Sequence, residues 1–154
     1  MEVKHIEIGG TKMKKRSLII CLVMALGVLS FCPVNTQAKT VKKGGTYETT
    51  AVRKAKFTSV VLKKYKVRGR KLITYGKFYY MNSSGTFKTL KAKKRVFKIS
   101  SSCVYKVSNG LNPRRSTRKT VFKKLKRAMK KNAGDGLTIK VRNGKAVLIQ
   151  YGQI

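Results

Sequence analysis

The sequence has very few of the residues that transfer protons or bind metals. It contains one histidine, His5, and four acidic residues against 38 Lys and Arg. His5 lies in an N-terminal region that we expect to be removed, so the mature protein would have no imidazole. This excludes Ser-His-Asp and Cys-His catalytic groups and the usual zinc ligands. We therefore predict a protein that is not an enzyme, with no catalytic, cofactor-binding or metal-binding residues and no small-molecule substrate.

Acidic residues are equally scarce in the part of the chain that we expect to be exported. Five of the 38 Lys and Arg and two of the four acids precede Lys39, so the remaining residues carry a formal charge of +31. The two acids left are Glu48 and Asp135, and Asp135 lies between two glycines, where turn formation explains it better than catalysis. Such a charge opposes compaction and attracts polyanions, while salt screens both effects. Anionic polymers are the expected partners.

Cysteine is also rare. Cys21 and Cys32 lie in the predicted signal peptide, so the exported protein would retain only Cys103 and could not form an internal disulfide. Small exported domains normally use disulfides in oxidising compartments, so their absence is consistent with an anaerobic or Gram-positive habitat. Cys103 lies in the strand-like segment SCVYKV, where we interpret it as a small buried hydrophobic residue rather than a reactive thiol.

The N-terminal region has the features of a secretory signal peptide. Met13 begins the basic segment MKKR, and the apolar run SLIICLVMALGVLSF that follows is too short to span a membrane comfortably. Small residues occupy the positions that a signal peptidase recognises, and the last of these is Ala38. We therefore predict a signal peptide at 13–38, cleaved after Ala38, and a secreted or envelope-associated protein. Residues 1–12 are either a translated leader upstream of the true start at Met13 or a genuine extended n-region.

The mature chain is long enough for one domain with one hydrophobic core. We predict a flexible, polar N-terminal segment at 39–45 and a single α+β domain at 46–154. Within the domain, the strand-like runs FTSVVLKKYKV and KLITYGKFYYM flank Arg68-Gly69-Arg70 and predict a long hairpin. After a second turn at 82–85 and a basic stretch, we predict a strand from Val96 to Val107 with a break at the serines 100 to 102.

The C-terminal third carries the clearest pattern. Apolar residues at helical spacing predict an amphipathic helix from Ser116 to position 132 that packs on the following hairpin. These apolar residues are Val121, Phe122, Leu125, Ala128 and Met129. Asn143-Gly144, between LTIKVR and KAVLIQY, predicts a two-residue hairpin turn. The register expected from that turn pairs Arg142 with Lys145, Val141 with Ala146, Ile139 with Leu148, and Leu137 with Gln150.

The order of these elements defines the predicted fold class. It is α+β: a small antiparallel sheet or OB-like barrel of about five strands, with one basic amphipathic helix before a C-terminal Asn-Gly hairpin. Two hairpin strands, a third strand, a helix and two more strands are the order of an OB-type barrel, although other α+β folds share it.

The predicted helix is the first candidate site because it presents many cations and no acid. Its candidate polyanion-binding residues are Arg118, Lys119, Lys123, Lys124, Lys126, Arg127, Lys130 and Lys131. Arg142 and Lys145 of the final hairpin are added to this set. Like charges four residues apart on a helix destabilise it by a few tenths of a kcal/mol per pair, which a bound polyanion would relieve. The alternative is a solvated basic face that only keeps the protein soluble.

A second candidate site consists of the tyrosines of one predicted strand. Side chains alternate along a strand. One face therefore carries Tyr75, Lys77 and Tyr79, and the other carries Gly76, Phe78 and Tyr80. If Tyr75 and Tyr79 are exposed, they could stack on bases or sugars. The alternative is that these aromatic side chains fill the core.

Three functions are consistent with this pattern. The first is a non-catalytic exported polycationic module that associates with anionic cell-envelope polymers, such as teichoic acid or acidic polysaccharide. The second is an extracellular nucleic-acid-binding protein that uses the basic surface together with tyrosine stacking. The third is a membrane-active cationic protein whose helix lies on an anionic membrane surface, although packing on the hairpin would already use its apolar face.

Several segments resemble small lysine-rich secreted proteins of unknown function from gut clostridia, of the Lachnospiraceae kind. The segments are FYYMNSSG, KTLKAKKRVFKISSSCVYKVSNG, TVFKKLKRAMKKNAG and GLTIKVRNGKAVLI. They share a lysine-rich composition. They also share a recurring closing pattern, in which a strand is followed by Asn-Gly and a second strand. The resemblance implies export and this habitat, and it implies no functional residues.

Overall fold

The computed structural model describes residues 38–51, 60–110, 112–131 and 133–152, all within one compact unit, Gln37–Ile154. The predicted leader and signal peptide lie outside the described residues. The described residues form eight strands and one helix, which confirms a β-rich α+β class. The elements are β1 Lys39–Thr40, β2 Gly45–Thr50, β3 Leu62–Arg68, β4 Lys71–Met81, β5 Phe87–Val107, β6 Arg114–Ser116, α1 Arg118–Lys131, β7 Gly136–Arg142 and β8 Lys145–Gly152. The sheet has more than the predicted five or so strands, and it is not purely antiparallel, since β1–β5 and β5–β8 are parallel pairs.

Five strands pair along a path that returns to its starting strand. β5 pairs with β4 in antiparallel and with β8 in parallel orientation, and β8, β7, β2 and β4 are successive antiparallel neighbours. The other three strands are attached outside this path, with β3 beside β4, and β1 and β6 beside β5. The sheet is therefore not a simple barrel.

The core lies inside this path because alternate residues of each strand turn inward. In β4, for example, Leu72, Phe78 and Tyr80 are buried. Tyr47 of β2 packs against two aromatic rings, with ring centroids 4.9 Å from Tyr80 and 5.3 Å from Phe97 of β5. This aromatic packing joins the two sides of the sheet across the interior.

The predicted hairpin around Arg68-Gly69-Arg70 is confirmed. β3 and β4 pair from Arg68 and Lys71 outward, with Gly69 in the left-handed region at a φ of 49°. The predicted start of β5 and the break predicted within it are both wrong. β5 is one strand that begins at Phe87 and includes the basic stretch. It can do so because the guanidinium of Arg95 lies over the Phe78 ring and donates to the carbonyl of Gly76 at 2.8 Å.

The predicted break in β5 corresponds instead to a register irregularity. The strand continues through the serines 100 to 102, but its pairing with β8 shifts between Ile99 and Val104. The hydroxyls of Ser100 and Ser102 lie 3.1 Å apart across this irregular stretch. Short polar side chains that hydrogen-bond locally explain why the sequence pattern there looks like a break.

The C-terminal hairpin follows the predicted register only beside its turn. A bulge between Lys140 and Val141 shifts the pairing by one residue in β8. As a result Ile149, rather than Leu148, is fully buried. The two predicted pairs nearest the turn are confirmed, and the two distal pairs are wrong: the observed pairs are Ile139–Ile149 and Leu137–Tyr151 in place of Ile139–Leu148 and Leu137–Gln150.

The helix begins at Arg118, two residues later than predicted. Ser116 is the last residue of β6, and Thr117 caps the helix, its Oγ1 accepting a hydrogen bond from the Thr120 N–H at 3.2 Å. The predicted apolar face is buried as a stripe: Val121, Leu125, Ala128 and Met129. The fifth apolar residue, Phe122, is partly buried, and its ring stacks on Tyr65 of β3 at 6.1 Å between centroids.

Residues 39–45, predicted to be flexible, include β1 and the first residue of β2. Lys39 and Thr40 pair in parallel with Arg95 and Val96 of β5. The Val41 N–H also donates to the carbonyl of Val96 at 2.9 Å. These backbone bonds attach the start of the described chain to the outer side of β5.

Candidate polyanion-binding surface

Five cations from five neighbouring strands form one continuous cross-strand row. Each is the direct pairing partner of the next, so their side chains share one side of the sheet. In order across β3, β4, β5, β8 and β7, they are Arg68, Lys71, Lys98, Lys145 and Arg142. We call this set the five-cation row. All five residues are exposed.

The spacing of the row suits a chain-like anion. Neighbouring strands lie about 4.8 Å apart, so the five residues span about 19 Å across the sheet. Like charges placed directly opposite one another destabilise a sheet. The row contains no Asp or Glu, and a polymer with repeated negative charges would relieve its repulsion along the whole length.

The row borders an open cleft of about 610 Å³. Arg68, Lys71, Lys98 and Lys145 line it, together with the serines at positions 100 and 101 of the irregular part of β5. The cations supply charge, and the hydroxyl groups supply additional hydrogen-bond donors for anionic oxygen atoms. The arrangement suits an anion, and the described residues that line the cleft include no acid and no imidazole for proton transfer.

One of the helix cations predicted to bind polyanions, Arg118, lies beside this row. Arg118, at the helix start, donates a hydrogen bond to the carbonyl of Gly69 in the β3–β4 turn, and that turn separates Arg68 from Lys71. Of the eight predicted helix residues, Lys124 is partly buried and the other seven are exposed. The exposed ones are Arg118, Lys119, Lys123, Lys126, Arg127, Lys130 and Lys131. Their role in binding remains a prediction.

The two tyrosines predicted to stack on a ligand are exposed. Tyr75 is 41% exposed and Tyr79 is 43% exposed, and Lys77 between them is exposed as well. Phe78 and Tyr80, on the opposite face of β4, are buried. The alternative that Tyr75 and Tyr79 fill the core is therefore excluded.

A second open cleft, of about 600 Å³, lies where β6 leads into the helix. Arg114, Arg115 and Lys124 line it, together with the amide side chains of Asn109 and Asn112. It is also basic, and it lies beside the start of the helix. Basic surface is thus present on both the sheet and the helix side of the domain.

The two acids of the described chain are engaged with neighbouring side chains. The Tyr151 hydroxyl donates a hydrogen bond to the carboxylate of Asp135, and burial together with this carboxylate raises the pKa of Tyr151. Burial raises the pKa of Glu48, and a hydrogen bond with Thr138 opposes that shift. Each acid has its own partner, and neither belongs to the five-cation row.

Cys103 is a free, partly buried thiol. Burial raises its pKa, while a hydrogen bond with Tyr105 and the charge of Arg118 act in the opposite direction. Its Sγ lies 3.7 Å from the carbonyl oxygen of Val104. A raised pKa keeps the thiol protonated near neutral pH and so disfavours thiolate chemistry.

Three residues of the row were missed from sequence: Arg68, Lys71 and Lys98. The Arg68–Lys71 pair could have been found, because both residues flank the turn of the predicted hairpin. Lys98 could not have been placed, since its position depends on pairing between β5 and both β4 and β8. Arg142 and Lys145 were predicted as a pair, and they are paired.

The described ranges contain no group of three or more His, Cys, Asp or Glu that could hold a metal ion. In those ranges no helix has both the length and the apolar character that crossing a bilayer requires. No protein-family model, curated protein or solved structure matches this chain.

Proposed function

We propose that this protein is a non-catalytic exported module that binds anionic polymers of the cell envelope, such as teichoic acid or acidic polysaccharide. The observation that carries the proposal is the five-cation row, in which Arg68, Lys71, Lys98, Lys145 and Arg142 are consecutive cross-strand partners. Export, signal-peptide cleavage near Ala38 and the clostridial habitat belong to the same proposal and rest on the sequence pattern.

Repulsion within the row is the physical basis of this function. A fold gains nothing from placing like charges opposite one another, because each such pair is destabilising. The row therefore represents a cost in stability that a bound polyanion removes. Solubility alone does not require it, since mixed charges keep a surface soluble equally well.

We also propose that the closed strand path is an OB-type barrel. This fold would support the same function. β2 and β3 lie along successive parts of β4 and together take the place of the first OB strand. β4, β5, β7 and β8 take the other places, with the helix between β5 and β7 and a parallel β5–β8 pair. OB-type barrels bind oligonucleotides and oligosaccharides at the face of their second and third strands and at the loops after the first and fourth. Those loops correspond here to the turns at 69–70 and 143–144, which the row flanks.

A salt titration with two matched double variants tests the site. Lys71→Gln with Lys98→Gln removes two charges from the row, and Lys88→Gln with Lys91→Gln removes two exposed charges near the other end of β5. With polyphosphate or purified teichoic acid as the probe, the logarithm of the binding constant should fall linearly with the logarithm of salt concentration. The row variant should reduce that slope by about 0.7 per lost contact, and the control should change it much less.

Two results would overturn the row as the binding surface. Equal losses in both double variants would show that only net charge matters. A larger loss in a third double variant on the helix, Lys126→Gln with Lys130→Gln, would place the polymer on the helix instead. Retention of the protein by cell walls stripped of teichoic acid, at the level seen with untreated walls, would rule out that polymer as the partner.

A further inference from the structure

Large aromatic side chains are exposed together on the outer face of β4 and β5. Tyr75, Tyr79 and Phe87 are 41%, 43% and 66% exposed. Tyr75 and Tyr79 share one face of β4, and Phe87 is the cross-strand partner of Met81, which lies two residues beyond Tyr79 on that face. We call these three residues the aromatic face.

The aromatic face is flanked by cations. Lys64 of β3 and Lys94 of β5 are the cross-strand partners of Tyr75 on its two sides. Lys77 lies between the two tyrosines on β4 and is exposed. Among the described residues, the acid paired with this face is Glu48 of β2, the cross-strand partner of Tyr79, and it is partly buried and hydrogen-bonded with Thr138.

The aromatic face also continues the five-cation row. Lys71 belongs to the row, and Tyr75 and Tyr79 follow it on the same outer face of β4. A chain polymer that lies on the row and turns along β4 would therefore pass over cations first and aromatic rings next. The ligand that matches this order carries both negative charges and flat rings.

We propose that the aromatic face binds single-stranded nucleic acid by stacking unpaired bases on Tyr75, Tyr79 and Phe87, with the flanking lysines contacting phosphates. Protein sites for single strands combine a basic groove with aromatic rings in this way. Teichoic acids and acidic polysaccharides carry the charge but have no planar aromatic rings. The inference rests on the proposed polyanion binding and adds a class of ligand to it.

The spacing of the rings favours a single strand over a duplex. Tyr75 and Tyr79 are four positions apart along the strand, a distance of about 13 Å. Bases within one strand of a duplex are stacked about 3.4 Å apart and are covered by their neighbours. Each ring must therefore take a base that has left the stack, and an unpaired chain provides such bases at little cost.

Ring-removing variants test the proposal directly. Tyr75→Thr and Tyr79→Thr keep a residue that favours strands while removing the ring. Each should lower the affinity for oligothymidylate by about tenfold or more at fixed salt, and leave the affinity for polyphosphate unchanged. The conservative variants Tyr75→Phe and Tyr79→Phe should retain oligothymidylate binding, because the ring and not the hydroxyl makes the contact. Unchanged oligothymidylate affinity in the Thr variants would overturn the proposal, as would an equal loss for both polymers.

A single tryptophan gives an independent readout. The sequence contains no tryptophan, so Tyr75→Trp places one fluorophore at the centre of the proposed contact. Its emission should be quenched by oligothymidylate and not by polyphosphate, and a duplex should compete weakly. Equal quenching by both polymers would show that no base stacks there. If polyphosphate binds and the ring variants have no effect, this inference fails alone; if neither polymer binds, the proposed function fails with it.

Discussion

Lys71 of β4 and Lys98 of β5 are direct cross-strand partners, and both side chains are exposed. Lys98 has a second like-charged partner, Lys145, on β8. Like charges directly opposite one another destabilise a sheet by a fraction of a kcal/mol up to about 1 kcal/mol per pair. Lys98, at the centre of the five-cation row, therefore has a like charge on both sides, and removing its charge should relieve two repulsive pairs.

We predict that Lys98→Gln stabilises the free protein and weakens polyanion binding. Removing one charge relieves two repulsive pairs, so the free energy of unfolding at low ionic strength should rise by about 0.5 to 1 kcal/mol. The gain should shrink as salt is added, because salt screens exposed charges. Urea unfolding at low and high salt measures it. Lys91→Gln, outside the row, is the matched control, and an equal gain in that variant would contradict the prediction.

Gly76 of β4 lies close to the backbone where the chain enters β3. A Cβ at this position would overlap the carbonyl oxygen of Val61 and would lie 2.9 Å from the Cα of Leu62. Both contacts are with backbone atoms, so a side-chain rotation cannot relieve them. We predict that Gly76→Ala forces the two strands apart and lowers the free energy of unfolding by about 1 to 3 kcal/mol or more.

Gly44→Ala is the control for this prediction. A Cβ there would lie 3.6 Å from the carbonyl oxygen of Val141, which is an ordinary van der Waals distance. Thermal unfolding should show a clearly lower midpoint for Gly76→Ala and a midpoint near that of the unmodified protein for Gly44→Ala. Similar midpoints for the two variants would show that β3 can move away from β4 without cost.

Thr74 and Thr49 form a matched pair of buried threonines. Among the described residues the Oγ1 of Thr74 has no hydrogen-bond partner, whereas the Oγ1 of Thr49 donates to the carbonyl of Lys77 at 2.9 Å. Burying an unpaired hydroxyl costs free energy, so Thr74→Val should stabilise the fold by up to about 1 kcal/mol. Thr49→Val should instead destabilise it by about 1 kcal/mol, because it removes the donor to the carbonyl of Lys77 from a partly buried hydrogen bond. Urea unfolding of both variants measures the contrast, and equal changes would contradict it.

Stability should fall at alkaline pH through Tyr47. Burial raises the pKa of Tyr47 to about 12, the nearby Tyr80 adds to the shift and Arg95 opposes it, and the hydroxyl donates to the carbonyl of Lys43 at 3.0 Å. In the unfolded chain the pKa is about 10, so the folded state holds this proton more tightly. The associated stability is fully present below pH 10 and is lost as the pH rises from about 10 to about 12.

The comparison of the unmodified protein with Tyr47→Phe isolates this titration from that of the lysines. The difference in unfolding free energy between the two proteins should be constant below about pH 10. Above that pH the unmodified protein should lose stability relative to Tyr47→Phe. Urea unfolding at a series of alkaline pH values measures the difference. A difference that stays constant up to pH 12 would show that Tyr47 is not held neutral by the fold.

The sequence predicted the parts of this protein that depend on short-range contacts. The buried stripe of α1 follows from residues that are three or four positions apart, and the Asn143-Gly144 turn follows from two residues that adopt positive φ at low cost. Alternation along β4 placed Tyr75 and Tyr79 on one face. It did not decide which face was outward, because both faces of β4 carry apolar side chains.

The extent of β5 and the bulge of the last hairpin could not be predicted from the sequence pattern. The basic residues before Val96 looked like a loop, yet they continue a strand because β4 pairs with them and their charged ends reach solvent. The shift at Lys140 and Val141 occurs because Ile149 and Tyr151, rather than Leu148 and Gln150, fit the interior. Both features depend on neighbours far away in sequence.

By itself, the sequence determined the excess of positive charge, the scarcity of proton-transferring groups and the local elements, since these are properties of composition and of neighbouring residues. Only the tertiary structure decided that Lys98 lies between Lys71 and Lys145, and that the aromatic face continues this row along β4. The physical reason is strand pairing: residues that are distant along the chain become neighbours only when the backbone hydrogen bonds of the sheet set their register.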